Sequence, residues 1–207
     1  MKPVFTIVPT ARRVSGSSGY SLMEILVVAG IIAVVSAVTV PMTGNSIKSF
    51  RISGDGRTLT NTVSLAKMRA ASAFDQARVY VDLEQQSYHV ETFQKTGTPA
   101  WIAEGGTISM SNGVSLGFGS LAAAPPNTQA TLAQAPPCLT TGGAPIANTA
   151  CVVFNSRGIP IDSTGAPTAV DALYVTDGSV VYGVTIAATG LIQLWTSPPA
   201  TATWTKQ

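Results

Sequence analysis

The chain has 207 residues, 45% hydrophobic and only 11% charged, with a formal charge of +2. Soluble domains usually carry about a quarter charged residues, so this balance points away from a fully solvated protein and towards one that lives partly in a membrane and partly against neighbours. It also excludes the strongly basic surface that nonspecific nucleic-acid binding requires.

The first distinctive stretch is Gly19-Tyr20-Ser21-Leu22-Met23-Glu24-Ile25-Leu26, followed by an apolar run to Met42. Leu22 to Met42 is 21 residues with one charge, Glu24. As a helix it would reach roughly 30 Å, the thickness of a bilayer's hydrocarbon core, so a transmembrane helix is expected over residues 20–42. Lys2, Arg12 and Arg13 precede it, which by the positive-inside rule puts the N-terminus in the cytoplasm and the rest outside the inner membrane. Without those three residues the balance falls to −1. An ordinary anchor, a secretory signal cut near Ser36-Ala37-Val38 and a twin-arginine signal at Arg12-Arg13 compete with this reading. Glu24 argues against an ordinary anchor, because a carboxylate in lipid costs a few kcal/mol. The position of Gly19 argues against a secretory signal, since a cut there removes the basic part and keeps the apolar one.

The order Gly19, Tyr20, Ser21, Leu22, Met23, Glu24 resembles the class III leader junction of type IV pilins and type II secretion pseudopilins. Tyr20 stands where the family usually has Phe. Pro41 falls where many members have a helix-kinking proline. The resemblance implies a leader over 1–19 that a prepilin peptidase removes after Gly19, N-methylation of Tyr20, and assembly through Glu24 and the apolar helix. It implies other pilins or pseudopilins and an inner-membrane assembly platform as further partners. It places the protein in the bacterial inner membrane as a single-pass chain, its C-terminal domain in the periplasm and part of a filament once assembled.

Helix should continue over 43–75, weakened by Pro41, Gly44 and Gly54-Asp55-Gly56. Leu59, Val63, Ala66, Ala70 and Phe74 recur at helical spacing and should face a sheet, with Arg57, Lys67 and Arg69 towards solvent. From about Ala77 the period becomes that of a strand. Val79, Val81 and Leu83 alternate with Arg78, Tyr80 and Asp82; after Glu84-Gln85-Gln86, Tyr88, Val90 and Thr92 alternate with His89 and Glu91, which predicts a hairpin. Thr107–Phe118 predicts one or two strands around Asn112-Gly113. Residues 120–150, rich in Ala, Pro and Thr, read as a surface loop with little fixed structure except near Cys138.

Cys151–Phe154 is a short apolar strand ending in Asn155-Ser156-Arg157-Gly158. Ala172–Thr176 and Ser179–Ala187 flank the hairpin signal Asp177-Gly178, and Thr189-Gly190 turns into Leu191–Trp195. Residues 196–207 read as a loose tail. The expected fold is α+β: a long N-terminal transmembrane helix, then an antiparallel β-sheet domain over 76–207 packed on the helix's C-terminal half. This order looks like the minor pseudopilins typified by the H subunit of type II secretion and the FimT-like minor pilins.

Cys138 and Cys151 are separated by 12 intervening residues in this sequence. In an oxidising compartment they are expected to form a disulfide, worth roughly 3 kcal/mol. The lone histidine, His89, excludes paired-His metal sites and fits an exposed strand face better than a catalytic one. Gly117–Ala122 imitates a dinucleotide loop but precedes Ala-Ala-Pro-Pro rather than a helix. With no nucleophile elbow or Walker loop, the chain reads as a non-enzymatic structural subunit with no cofactor. The alternative is a minor pilin that contributes to DNA uptake. In such relatives a Gly-Arg-x-Arg motif contacts DNA, but Gly190-Leu191-Ile192-Gln193 lacks arginine, so nucleic acid is not an expected partner.

Overall fold

The structure is a computed structural model that describes residues 19–207, with the side chains of 38, 40–43 and 45 outside the described set. The expected leader therefore lies outside the described residues except for Gly19. Two compact units divide the chain, one ending at Gly44 and the other running over Asn45–Gln207. A helix, α1 (Leu22–Ala73), enters from the first and continues into the second.

In the first unit Ser21 caps α1: its carbonyl accepts the N–H groups of Glu24 and Ile25. The helix passes through Pro41 and Gly44 without an assigned break. Among the described residues no helix is long and apolar enough to cross a membrane. The expected transmembrane helix is thereby corrected, and so is the single-pass inner-membrane location built on it. Further on, the helix carries Lys48, Arg51, Asp55, Arg57, Lys67 and Arg69.

The antiparallel β-structure of the second unit is divided between two five-stranded sheets. The first contains β1 (Ala77–Asp82), β2 (Ser87–Gln94), β3 (Ala100–Ser109), β5 (Thr149–Phe154) and β6 (Pro160–Ile161) in the order β3-β2-β1-β5-β6. The second contains β4 (Ser115–Leu116), β7 (Ala172–Thr176), β8 (Val181–Ile186), β9 (Ile192–Ser197) and β10 (Thr205–Lys206) in the order β10-β9-β8-β7-β4. All pairings are antiparallel. Alternate residues point to opposite faces. Val79, Val81, Val90, Val152 and Phe154 from the first sheet, with Val175, Val184 and Ile186 from the second, meet Leu59, Val63, Ala66 and Ala70 of α1 in one core. Phe74 leaves that stripe. It follows the helix end with φ 52° and is 85% exposed, because a left-handed residue turns the chain off the helical path.

Gly54-Asp55-Gly56 does not break the helix. The hydroxyls of Thr58 and Thr60 donate to the carbonyls of Gly54 and Gly56. Asp55 accepts from the backbone N–H and hydroxyl of Ser111, and a Cβ at Gly56 would press the Tyr182 ring at 3.1 Å. Gly56 thus serves close packing, whereas a Cβ at Gly54 would meet nothing within 4 Å.

The stretch 120–150 is built rather than loose. Gln134 acts as a strand neighbour for β7, its amide donating to the Tyr174 carbonyl and its carbonyl accepting the Tyr174 N–H. Leu121, Ala172, Tyr174 and Val181 form a second small core, closed by Phe118, Leu132 and Trp204. The expected loose tail is also corrected: Thr205-Lys206 pairs with β9, and the Trp204 indole N–H donates to the Ala123 carbonyl.

Candidate functional site

The residues singled out at the junction stand together at the start of α1. Gly19 and Glu24 are exposed, and Tyr20 is 79% exposed. From Leu22 to Val35 the large apolar side chains are exposed on every side of the helix, Leu22 at 78% and Val34 at 68%. A helix that is apolar all round normally lies inside a larger assembly. Pro41 is helical in backbone, and its side chain lies outside the described ones. Cys138 and Cys151 are joined in a disulfide, as the cysteine pattern leads one to expect.

A second constellation lies within the second unit, on the face of the first sheet turned away from α1. The register sets Arg78 opposite Glu91, Tyr80 opposite His89 and Phe93 opposite Trp101. Arg78 is 3% exposed. Its Nε donates to Glu91 Oε2 at 2.6 Å and its Nη1 to the Leu139 carbonyl at 2.7 Å. Its guanidinium lies 4.1 Å from the Trp101 ring centroid and 5.5 Å from that of Tyr80. Burial pulls the Arg78 pKa below its ordinary value, against the opposing hydrogen bond and charge of Glu91. His89 stacks on Tyr80 at 5.0 Å, with Nε2 3.2 Å from Glu91 Oε1. It is therefore half-buried in a packed row rather than displayed on an open strand.

The disulfide ties the segment around Cys138 to β5 and lays Pro136, Pro137 and Leu139 beside this row. Between them is a cavity of about 460 Å³, with Arg78 and Trp101 among its lining residues and Asp162 and Asp171 also on its wall. Asp171 is 3% exposed. Burial, with the nearby charge of Asp162 as a smaller cause, pushes its carboxyl up to about 7. Among the described residues no side-chain or backbone donor is hydrogen-bonded to that carboxyl. Asp162 is held differently: its Oδ1 accepts the Thr164 N–H, the Thr164 hydroxyl and the Ala166 N–H, which lowers its pKa.

The alternation of residues 78–91 puts Arg78, Tyr80, His89 and Glu91 on the faces opposite the core valines. What sequence reasoning missed is the cover. Trp101 sits in a strand whose pattern is broken by Glu104-Gly105-Gly106, with a register shift opposite Tyr88/Val90. Asp171 gave no local signal at all.

The chain matches no family model and no curated relative. Among solved structures, it is similar to the minor pseudopilin EpsH from the Type 2 Secretion System of Vibrio cholerae, at 11% identity and a TM-score of 0.44 over 73% of this chain and 99% of that one. A second structure of that pseudopilin gives 12% identity and a TM-score of 0.41 over 70% of this chain and 92% of the other.

Proposed function

We propose that this chain is a structural subunit of a pilin-like filament, with the α1 stretch Leu22–Val35 as its assembly surface. The observation that carries this reading is the run of large apolar side chains left uncovered all round the helix. Such a surface is stable only when other apolar helices cover it. The junction Gly19-Tyr20-Ser21-Leu22-Met23-Glu24 supports the same reading: a prepilin-type peptidase cuts after Gly19, and the new Tyr20 amine is methylated.

Glu24 gives the assembly its register. A carboxylate buried among apolar helices is costly alone and much less so when paired. Pairing of Glu24 with the Tyr20 amine of a neighbouring subunit leaves both charges satisfied only when the two chains are in step. The partners are thus other pilins or pseudopilins with the same kind of helix.

Co-purification of tagged subunit with its filament partners tests this. Glu24→Ala is expected to be cut normally yet recovered with few partners, and Glu24→Asp to be intermediate. Equal recovery of Glu24→Ala and the unaltered chain would overturn the register role. Gly19→Arg is expected to retain the mass of the uncut precursor, and a mass equal to that of the normal mature chain would overturn the cut site.

A further inference from the structure

The cavity beside the first sheet is built more elaborately than packing requires. Its walls combine apolar surface from Pro136, Val153, Ile161 and the disulfide with hydroxyl groups and the charged Arg78, Asp162 and Asp171, of which Asp171 is 3% exposed. Ligand pockets have this size, a few hundred Å³, and set polar groups among apolar ones. Buried polar groups are normally hydrogen-bonded, because leaving one unpaired costs the full desolvation of that group. Among the described residues the Asp171 carboxyl has no such partner, and it lines the cavity, where a ligand or water can reach it.

We propose that this cavity binds an alkylammonium group, its charged end paired with Asp171 and its aliphatic stem lying against Pro136, Val153 and Ile161. Three features select that chemistry. Asp162 stands at the same wall, so the field there favours a cation. Arg78, the cationic residue lining the cavity, is already engaged by Glu91 and does not compete for Asp171. A metal ion fits less well, since among the described residues no three His, Cys, Asp or Glu side chains gather to hold one. The raised proton affinity of Asp171 agrees with a carboxyl waiting for a cation. The ammonium group could be carried by a lysine side chain of a peptide or by a free alkylamine. The inference does not rest on the filament role.

Calorimetric titration of the full chain at pH 8 with Nα-acetyl-lysine amide, n-pentylamine and Nα-acetyl-norleucine amide tests it. Saturable binding of at least one amine is expected, with a dissociation constant at or below about 1 mM, and at least tenfold weaker binding of the norleucine probe. Tighter binding of the lysine probe assigns the ligand to a peptide, and tighter binding of pentylamine assigns it to a free amine. Asp171→Asn should weaken the amine at least tenfold, with a thermal melt showing that the variant is folded. If it is not, the carbon-13 shift of the Asp171 carboxyl in the unaltered chain should move on titration. No saturable amine binding, norleucine binding as tight as lysine, undiminished binding by folded Asp171→Asn, or an unmoved Asp171 carboxyl would each overturn the proposal.

Discussion

Asp171→Asn should change how stability depends on pH. In the folded chain the carboxyl titrates at about 7 rather than at the ordinary 3.8, chiefly because burial disfavours its charge. Between those two values the folded state holds a proton that the unfolded state has lost, so stability falls as pH rises through the window. The penalty is absent near pH 4 and fully present above about 7. At about 1.4 kcal/mol for each tenfold change in proton affinity, the group costs the folded state about 4 kcal/mol at pH 8. Asparagine has nearly the same shape and does not titrate. Near pH 4 it replaces a neutral carboxyl by a neutral amide, and the two chains should agree within about 1 kcal/mol. At pH 8 the variant should be the more stable by about 4 kcal/mol. Urea unfolding at pH 4, 6 and 8, with the slope monitored, measures this. A difference that is the same at all three pH values would refute the argument, because it would mean that Asp171 is ionised and satisfied throughout.

Glu91→Gln leaves the buried Arg78 guanidinium without its carboxylate and should cost about 3 kcal/mol in urea unfolding; a loss below 1 kcal/mol would mean that Trp101 and Leu139 alone hold the cation. Replacing both Cys138 and Cys151 by serine should cost about 3 kcal/mol, read as a lower urea midpoint without reductant. Gly190→Ala should lower the melting temperature markedly and cost at least about 2 kcal/mol, since φ is +77° there and an added Cβ would overlap the Gly158 carbonyl oxygen. An unchanged melting curve would show that the two turns are free to part.

Local signals were enough wherever the pattern had one partner. The alternation in 77–94 located β1 and β2, because each strand has one face on the core. Asp177-Gly178 located the β7–β8 turn, where the Asp177 carboxylate accepts the Ser179 N–H, the Ser179 hydroxyl and the Val180 N–H. The stripe Leu59, Val63, Ala66 and Ala70 identified the helix face that meets the sheets. Two cysteines in a Pro-rich stretch were enough to pair Cys138 with Cys151.

Tertiary structure decided what depends on residues far apart in the chain. Apolar composition pointed to a transmembrane helix, but among the described residues no helix is long and apolar enough to cross a membrane. Gly54 and Gly56 read as helix breakers, since propensity weighs a glycine without its neighbours. In the fold the helix runs on through both, and Tyr182 occupies the space a Cβ on Gly56 would take. The segment 120–150 lacks periodicity because its order comes from Gln134 bonding to Tyr174, forty residues away, and from the disulfide. Trp204 looked like part of a loose tail, yet its ring lies 5.9 Å from that of Tyr174 and over the bare Cα of Gly183. The cavity is the extreme case. Its lining comes from β1, β3, β5, the Cys138 segment and the approach to β7, and Asp171 carries no motif that marks it in the sequence. Only the closure of those segments over it removes the water that would have kept its carboxyl ordinary.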